Sequence, residues 1–205
     1  STLNIAGGVT PAGRLDLSDN ALVVDYTTGS PLATIKAQVI SGYAAGAWNG
    51  NGIASSAAAA NSIYAIGYAQ SSDALGPSGG MFQGQSVDGS AVLVRYTLAG
   101  DNTLDGMVNF NDLLKLSQNY GLGGMSWFDG DTDYDGTVNF NDLLKLSQNY
   151  NQAAASADPL LPAFSLDLSD TVPDGSWGAA VPEPHAIGLL LPAAILLMRR
   201  RVRGL

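Results

Sequence analysis

One pattern is written twice in the middle of this chain: DNTLDGMVNFNDLLKLSQNY over 101–120 and DTDYDGTVNFNDLLKLSQNY over 131–150. The period is 30 residues, 16 of the 20 positions match, and the run VNFNDLLKLSQNY recurs unchanged. A repeat this close is a duplicated structural unit, so each copy constrains the reading of the other. Eight aspartates lie between 101 and 142. Their mutual repulsion opposes a compact fold unless something positive offsets it.

In each copy, oxygen-bearing residues fall at loop positions 1, 3, 5, 9 and 12, with Gly at 6. That is the spacing of an EF-hand calcium loop, in which a sharp fold at the glycine turns alternate residues inward around a hard cation. The first ligand set is then Asp101, Thr103, Asp105, the carbonyl of Met107, Asn109 and Asp112. The second is Asp131, Asp133, Asp135, the carbonyl of Thr137, Asn139 and Asp142, with either asparagine acting directly or through water. A neutral hydroxyl at Thr103 predicts that the first of the two Ca2+ sites is the weaker.

After each loop, Phe110, Leu113, Leu114 and Ser117, and likewise Phe140, Leu143, Leu144 and Ser147, keep the spacing of a helix with one buried face. Leu116, Leu146 and the two following tyrosines widen that face. Gly121 and Asn151 then suit a left-handed C-cap. Before the first loop, AVLVRYTL reads as a strand, so the entering helix of a full EF-hand is missing.

Loop, helix, linker, loop, helix over 98–152 resembles a type I dockerin. The resemblance implies two bound calcium ions, helix faces that bind a cohesin-like partner or another surface protein, and docking in two orientations related by a half turn. Many dockerins carry Ser or Thr at loop positions 10 and 11, where this chain has Phe110-Asn111 and Phe140-Asn141. An aromatic residue there reads as core, which leaves Lys115 and Lys145 as candidate recognition residues on the helices.

Residues 12–98 read as a small α+β unit on an antiparallel sheet. LDLSDNALVVDY gives two short strands about the turn Ser18-Asp19-Asn20. Ser30-Pro31 opens a helix over LATIKAQVISGY, Ser-Ser-Ala-Ala-Ala-Ala-Asn a short capped helix, and SIYAIGYAQ a strand. Residues 71–90 form a Gly/Ser-rich excursion in which Met81 and Phe82 tuck inward. Trp48, in a Gly/Asn loop, either stacks on a sugar or caps a small core. The wording of this region is similar to that preceding dockerin-like repeats in large secreted proteins of planctomycete-type bacteria.

Residues 152–180 are rich in Ala, Ser, Asp and Pro without periodicity, the composition of a flexible spacer. Val181, Pro182, Glu183 and Pro184 follow, then an apolar run over 186–198 and the basic cluster of Arg199, Arg200, Arg201 and Arg203. Thirteen apolar residues span about 20 Å as a helix, short of the roughly 30 Å of a bilayer, and reach across only with their flanks and snorkelling arginines. This order resembles a PEP-CTERM sorting signal. The resemblance implies an exosortase-type processing enzyme, transient anchoring by a transmembrane helix, and export to the cell envelope or surface.

Composition narrows the function. Without the arginine tail the chain carries 5 basic against 18 acidic side chains, so a nucleic-acid partner is not expected. There is no cysteine, and the single histidine, His185, and single glutamate, Glu183, sit in the sorting motif. A Ser-His-Asp or His-metal site therefore cannot be assembled in the folded part, and catalysis is expected only upstream of these residues.

The expected architecture is thus α+β: a small antiparallel-sheet unit over 1–98, followed by an all-α dockerin-like pair of loop-helix motifs over 99–152. A linker over 153–180 and a sorting signal with its hydrophobic helix over 181–205 complete it. A calcium-dependent interaction module, a purely structural calcium-stabilised junction, and the non-catalytic end of a polysaccharide-degrading enzyme all remain open.

Overall fold

The computed structural model describes residues 6–154. In chain order these form β1 (Arg14–Asp16), β2 (Ala21–Asp25), α1 (Leu32–Tyr43), β3 (Gly52–Ala54), α2 (Ser56–Ala60), β4 (Tyr64–Gln70), α3 (Ser71–Ala74), β5 (Gly80–Phe82), β6 (Gln85–Val87), β7 (Ala91–Leu98), α4 (Phe110–Asn119) and α5 (Phe140–Gln148). Short 3-10 turns occupy Ala44–Gly46 and Trp127–Asp129.

The β-branched run of β7 places it at the centre of a three-stranded antiparallel sheet, with β2 on one side and β4 on the other. Every β7 residue except Tyr96 is buried, the mark of a strand covered on both faces. A second sheet pairs β1 with β3 in parallel, Leu15 opposite Ile53, and a third is the β5–β6 hairpin. Parallel pairing needs a crossover, supplied here by β2 and α1.

Local signals account for the helices. The Ser30 hydroxyl accepts from the Leu32 amide at 3.2 Å, and α1 turns Ile35 and Val39 inward. Ser55 caps α2 by accepting from Ala58 N at 2.9 Å. Trp48 is only 2% exposed and packs edge-on to Tyr43, so it caps the core and offers no face to a sugar. Phe82 is buried as expected, whereas Met81 is 65% exposed.

The expected division into a small sheet unit and a following all-α pair is overturned. The architecture is mixed α/β, with three sheets and five α-helices among the described residues, and one of the sheets is parallel. β1 and β2 both exist but pair with different partners. The repeat region is not all-α either: a 3-10 turn joins its halves, and β-bridges link Met107 to Ala153 and Gly123 to Thr137. Leu104, Trp127 and Tyr134 of that region belong to the same buried cluster as Ile66, Tyr68, Leu93 and Val94 of the sheet. Hydrophobic periodicity says that a segment has an apolar side but not which other segment covers it.

The described residues all belong to one compact unit. Val181, Pro182, Glu183, Pro184, Arg199, Arg200, Arg201 and the expected hydrophobic helix lie outside the described residues. Among the described residues no helix is long and apolar enough to cross a membrane.

Gly67 on β4 is what lets the repeat lie flat on the sheet. A Cβ there would come within 2.4 Å of Leu104 Cδ2 and 2.6 Å of Trp127 Nε1. Gly67→Ala is therefore expected to overpack this contact and cost about 1–3 kcal/mol, read from urea denaturation of the full chain.

Candidate functional site

Each loop folds sharply at its sixth residue, Gly106 or Gly136, where φ is +91° or +85°. Each closes on the carboxylate at position 12, which reaches back from the first turn of a helix. Asp112 Oδ2 accepts from Asn109 N at 2.9 Å and Asp142 Oδ2 from Asn139 N at 2.8 Å. The side chains of Asn109 and Asn139 cap the same helices by accepting from the amides of Asn111 and Asn141. Asp112 and Asp142 are thereby both capping residues and members of a carboxylate cage.

The first cage gathers Asp101, Asp105 and Asp112, and the second Asp131, Asp133 and Asp142. In each, one oxygen from every carboxylate lies within 4.8 Å of the others. Asp101, Asp112, Asp131 and Asp142 are fully buried. Thr103 presents its hydroxyl to Asp112 Oδ1 at 2.9 Å, while in the second loop Asp133 occupies that position and enters the cage. Asp135 lies outside the tight group, accepting from Thr137 N at 2.7 Å and Asn139 Nδ2 at 3.2 Å. The Met107 amide donates to Asp105 Oδ1 at 2.8 Å.

Burial pushes the Asp101 and Asp131 carboxyls up to about 7, and nearby carboxylates push the same way. Asp112 and Asp133 are raised for the same first cause. A buried divalent cation would reverse that balance by favouring the ionised form of all of them. The donor set fits such an ion, being oxygen throughout. It has an open valence too, because Asp131 Oδ1 is buried with no hydrogen-bond partner.

The two halves are related by an approximate two-fold. Asn119, after the first loop, donates to the Asp129 carbonyl ahead of the second at 2.9 Å. Asn149 donates to the Ala99 carbonyl ahead of the first at 2.7 Å. Leu116 packs on Gly130 and Leu146 on Gly100, so each helix braces the opposite loop. Gly121 N bonds to the Val138 carbonyl and Asn151 N to the Val108 carbonyl, both at 2.8 Å. Gly121 and Asn151 take the left-handed conformation expected of them.

The helix faces differ from expectation. Leu116 and Leu146 are buried, but Phe110 and Phe140 are each 63% exposed, with Leu114 and Leu144 beside them and Tyr120 and Tyr150 also exposed. Each helix has two apolar stripes, and only the one holding Leu113 and Leu116, or Leu143 and Leu146, joins the core. The lysines turn the other way. Lys115 Nζ sits 4.0 Å above the Phe128 ring, and Lys145 Nζ lies 3.3 Å from the Thr132 carbonyl.

Several residues that hold the site escaped the sequence reading. Trp127 Nε1 donates to the Asp101 carbonyl at 2.7 Å, and the Thr97 hydroxyl donates to the Asp101 carboxylate. Tyr134 Oη accepts from Ile66 N at 3.1 Å and donates to Ile66 O at 2.9 Å. Asn119 and Asn149 stood in the repeated run and were open to notice. Trp127 and Thr97 lie outside the repeat and carried no signal.

No family model and no curated protein matches the chain. Among solved structures it is similar to a chain described as a type II cohesin-dockerin domain from Bacteroides cellolosolvens. The identity is 29% and the TM-score 0.25, over 28% of this chain and 92% of that one.

Proposed function

We propose that the chain is a calcium-binding docking module of an exported bacterial surface protein. The observation that carries this reading is the pair of partly buried carboxylate cages related by an approximate two-fold, one holding an unpartnered Asp131 oxygen. The ligands would be Asp101, Thr103, Asp105, Met107, Asn109 and Asp112 for one Ca2+, and Asp131, Asp133, Asp135, Thr137, Asn139 and Asp142 for the other. Bound calcium supplies the charge that the ionised cages lack. The exposed stripes of Phe110 with Leu114 and Phe140 with Leu144 are surfaces for a cohesin-like partner. They replace Lys115 and Lys145 in that role.

In this reading the chain is not itself an enzyme and does not bind nucleic acid. Its tail is a PEP-CTERM-like signal read by an exosortase, which anchors the protein transiently in the membrane on its way to the envelope. A second reading has its own support: the burial of Tyr134 and Trp127 in the sheet core favours calcium as a structural brace for the whole unit.

The test is a calorimetric calcium titration of the full chain with circular dichroism recorded alongside. Two unequal sites and a calcium-dependent gain of ordered structure are expected, and silence at millimolar calcium would sink the reading. Thr103→Asp adds a carboxylate where the first loop has only a hydroxyl. It is expected to tighten the first site about tenfold, because calcium affinity follows the charge of the ligand set.

A further inference from the structure

Strand β7 sends two residues from one face toward the first loop. Successive side chains of a strand alternate, so Arg95 and Thr97 project together. Thr97 bonds to the Asp101 carboxylate, as described, and Arg95 lies behind the loop's turn. Its Nη1 donates to the Leu104 carbonyl, loop position 4, at 3.0 Å. A Cβ on Gly106, loop position 6, would come within 3.1 Å of its Nη2. On the far side the Gln83 amide oxygen, in the orientation that satisfies both groups, accepts from Nη2 and Nη1 at 3.1 and 3.2 Å. Gln83 sits in the turn between β5 and β6.

The guanidinium is thus a fixed charge. Arg95 is only 9% exposed and, among the described residues, no carboxylate pairs with it within 4 Å; the acidic groups that feel its charge are Asp101 and Asp105 of the first cage. The second loop has cations behind it as well. Lys36 bonds to the Met125 carbonyl and Lys145 to the Thr132 carbonyl. Both are half-buried ammonium groups on long stems, which water screens far more than it screens a buried guanidinium held on two sides.

We propose that Arg95, a residue of the sheet and not of the repeat, sets the order in which the calcium loops fill. It lowers the affinity of the first loop, so that the second loop fills first and the first only at higher calcium. The same charge partly offsets Asp101 and Asp105 while the first loop is empty. This inference rests on the calcium reading above and adds a cause of unequal affinity independent of Thr103.

Two variants of the full chain test it by two-site calorimetry. Arg95→Gln removes the charge and retains an N–H for the Leu104 carbonyl. Gln83→Glu leaves Arg95 in place and neutralises it with a carboxylate. Asp133→Asn, which weakens only the second cage, assigns the two binding events. In both charge variants the first-site Kd is expected to fall about tenfold, with the second site unchanged to about twofold. Arg95→Lys, which keeps the charge, is expected to bind as the parent does. A first site that fails to tighten in either charge variant overturns the proposal. If Arg95→Gln does not regain the parent circular dichroism in calcium, Gln83→Glu alone decides. A parent chain with no calcium response overturns the calcium reading itself, a result seen before any variant is made.

Discussion

On the calcium reading proposed above, chelating calcium from the full chain is expected to release strands β4 and β7 together with the two loops, in one cooperative transition. The reason is the way loop and sheet share buried groups. Asp101 takes a hydrogen bond on its carboxylate from Thr97 of β7 and one on its carbonyl from Trp127. Tyr134, at the fourth position of the second loop, exchanges two hydrogen bonds with Ile66 of β4. With the cation gone, four buried aspartates face one another in the two cages, and the strain of that repulsion is delivered to the sheet. Each occupied site stabilises the fold by about 2.7 kcal/mol at a hundredfold excess of calcium over Kd. For two sites in a unit of this size, removal lowers Tm by roughly 10–20 °C. Amide exchange along β4, and near-ultraviolet dichroism of Trp48 and Trp127, would follow it. If β4 keeps its protection while the loops exchange freely, the loops are separable from the sheet and the structural reading of calcium fails.

Truncating Tyr134 is expected to be the most damaging single change in the repeat region. Its ring lies 4.6 Å from Tyr43, 5.5 Å from Trp127 and 5.9 Å from Trp48, at the meeting point of α1, the Trp48 loop and the 3-10 turn. Tyr134→Ala opens a cavity among three aromatic rings and is expected to cost about 3–5 kcal/mol. Tyr134→Phe keeps the ring but leaves the Ile66 amide and carbonyl without partners, at about 1–3 kcal/mol. Urea denaturation in saturating calcium measures both. A loss below about 1 kcal/mol for Tyr134→Ala would mean that the second loop is not embedded as described. Leu104 occupies the same position in the first loop and contacts the Gly67 side of β4, so its aliphatic side chain completes the same seam.

Much of the candidate site was legible before any coordinates. Seven aspartates were expected in two ligand sets, three in the first loop and four in the second; Asp101, Asp105 and Asp112 cluster in one cage and Asp131, Asp133 and Asp142 in the other. Asp135 was expected with them but bonds within its own loop. The left-handed residues Gly121 and Asn151 that follow the two helices, and the helix over 32–43, followed from local chemistry, because a left-handed φ and an amphipathic turn are decided within a few residues. The exposed phenylalanines were not legible. Phe110 and Leu114 satisfy the same helical spacing as Leu113 and Leu116, and no local rule says which of two apolar stripes finds a neighbour.

The sequence by itself determined the duplicated loops, their oxygen donors, the turn at the sixth position, and most of the strands and helices, since each depends on spacing within one short segment. Only the tertiary structure decided that β1 pairs in parallel with β3, and that Tyr134 and Trp127 enter the sheet core. It alone placed Arg95, six residues ahead of Asp101 and outside the repeat, behind the first loop. Those outcomes depend on which buried faces fit one another across long separations, a matter of shape and desolvation that is settled when the whole chain packs.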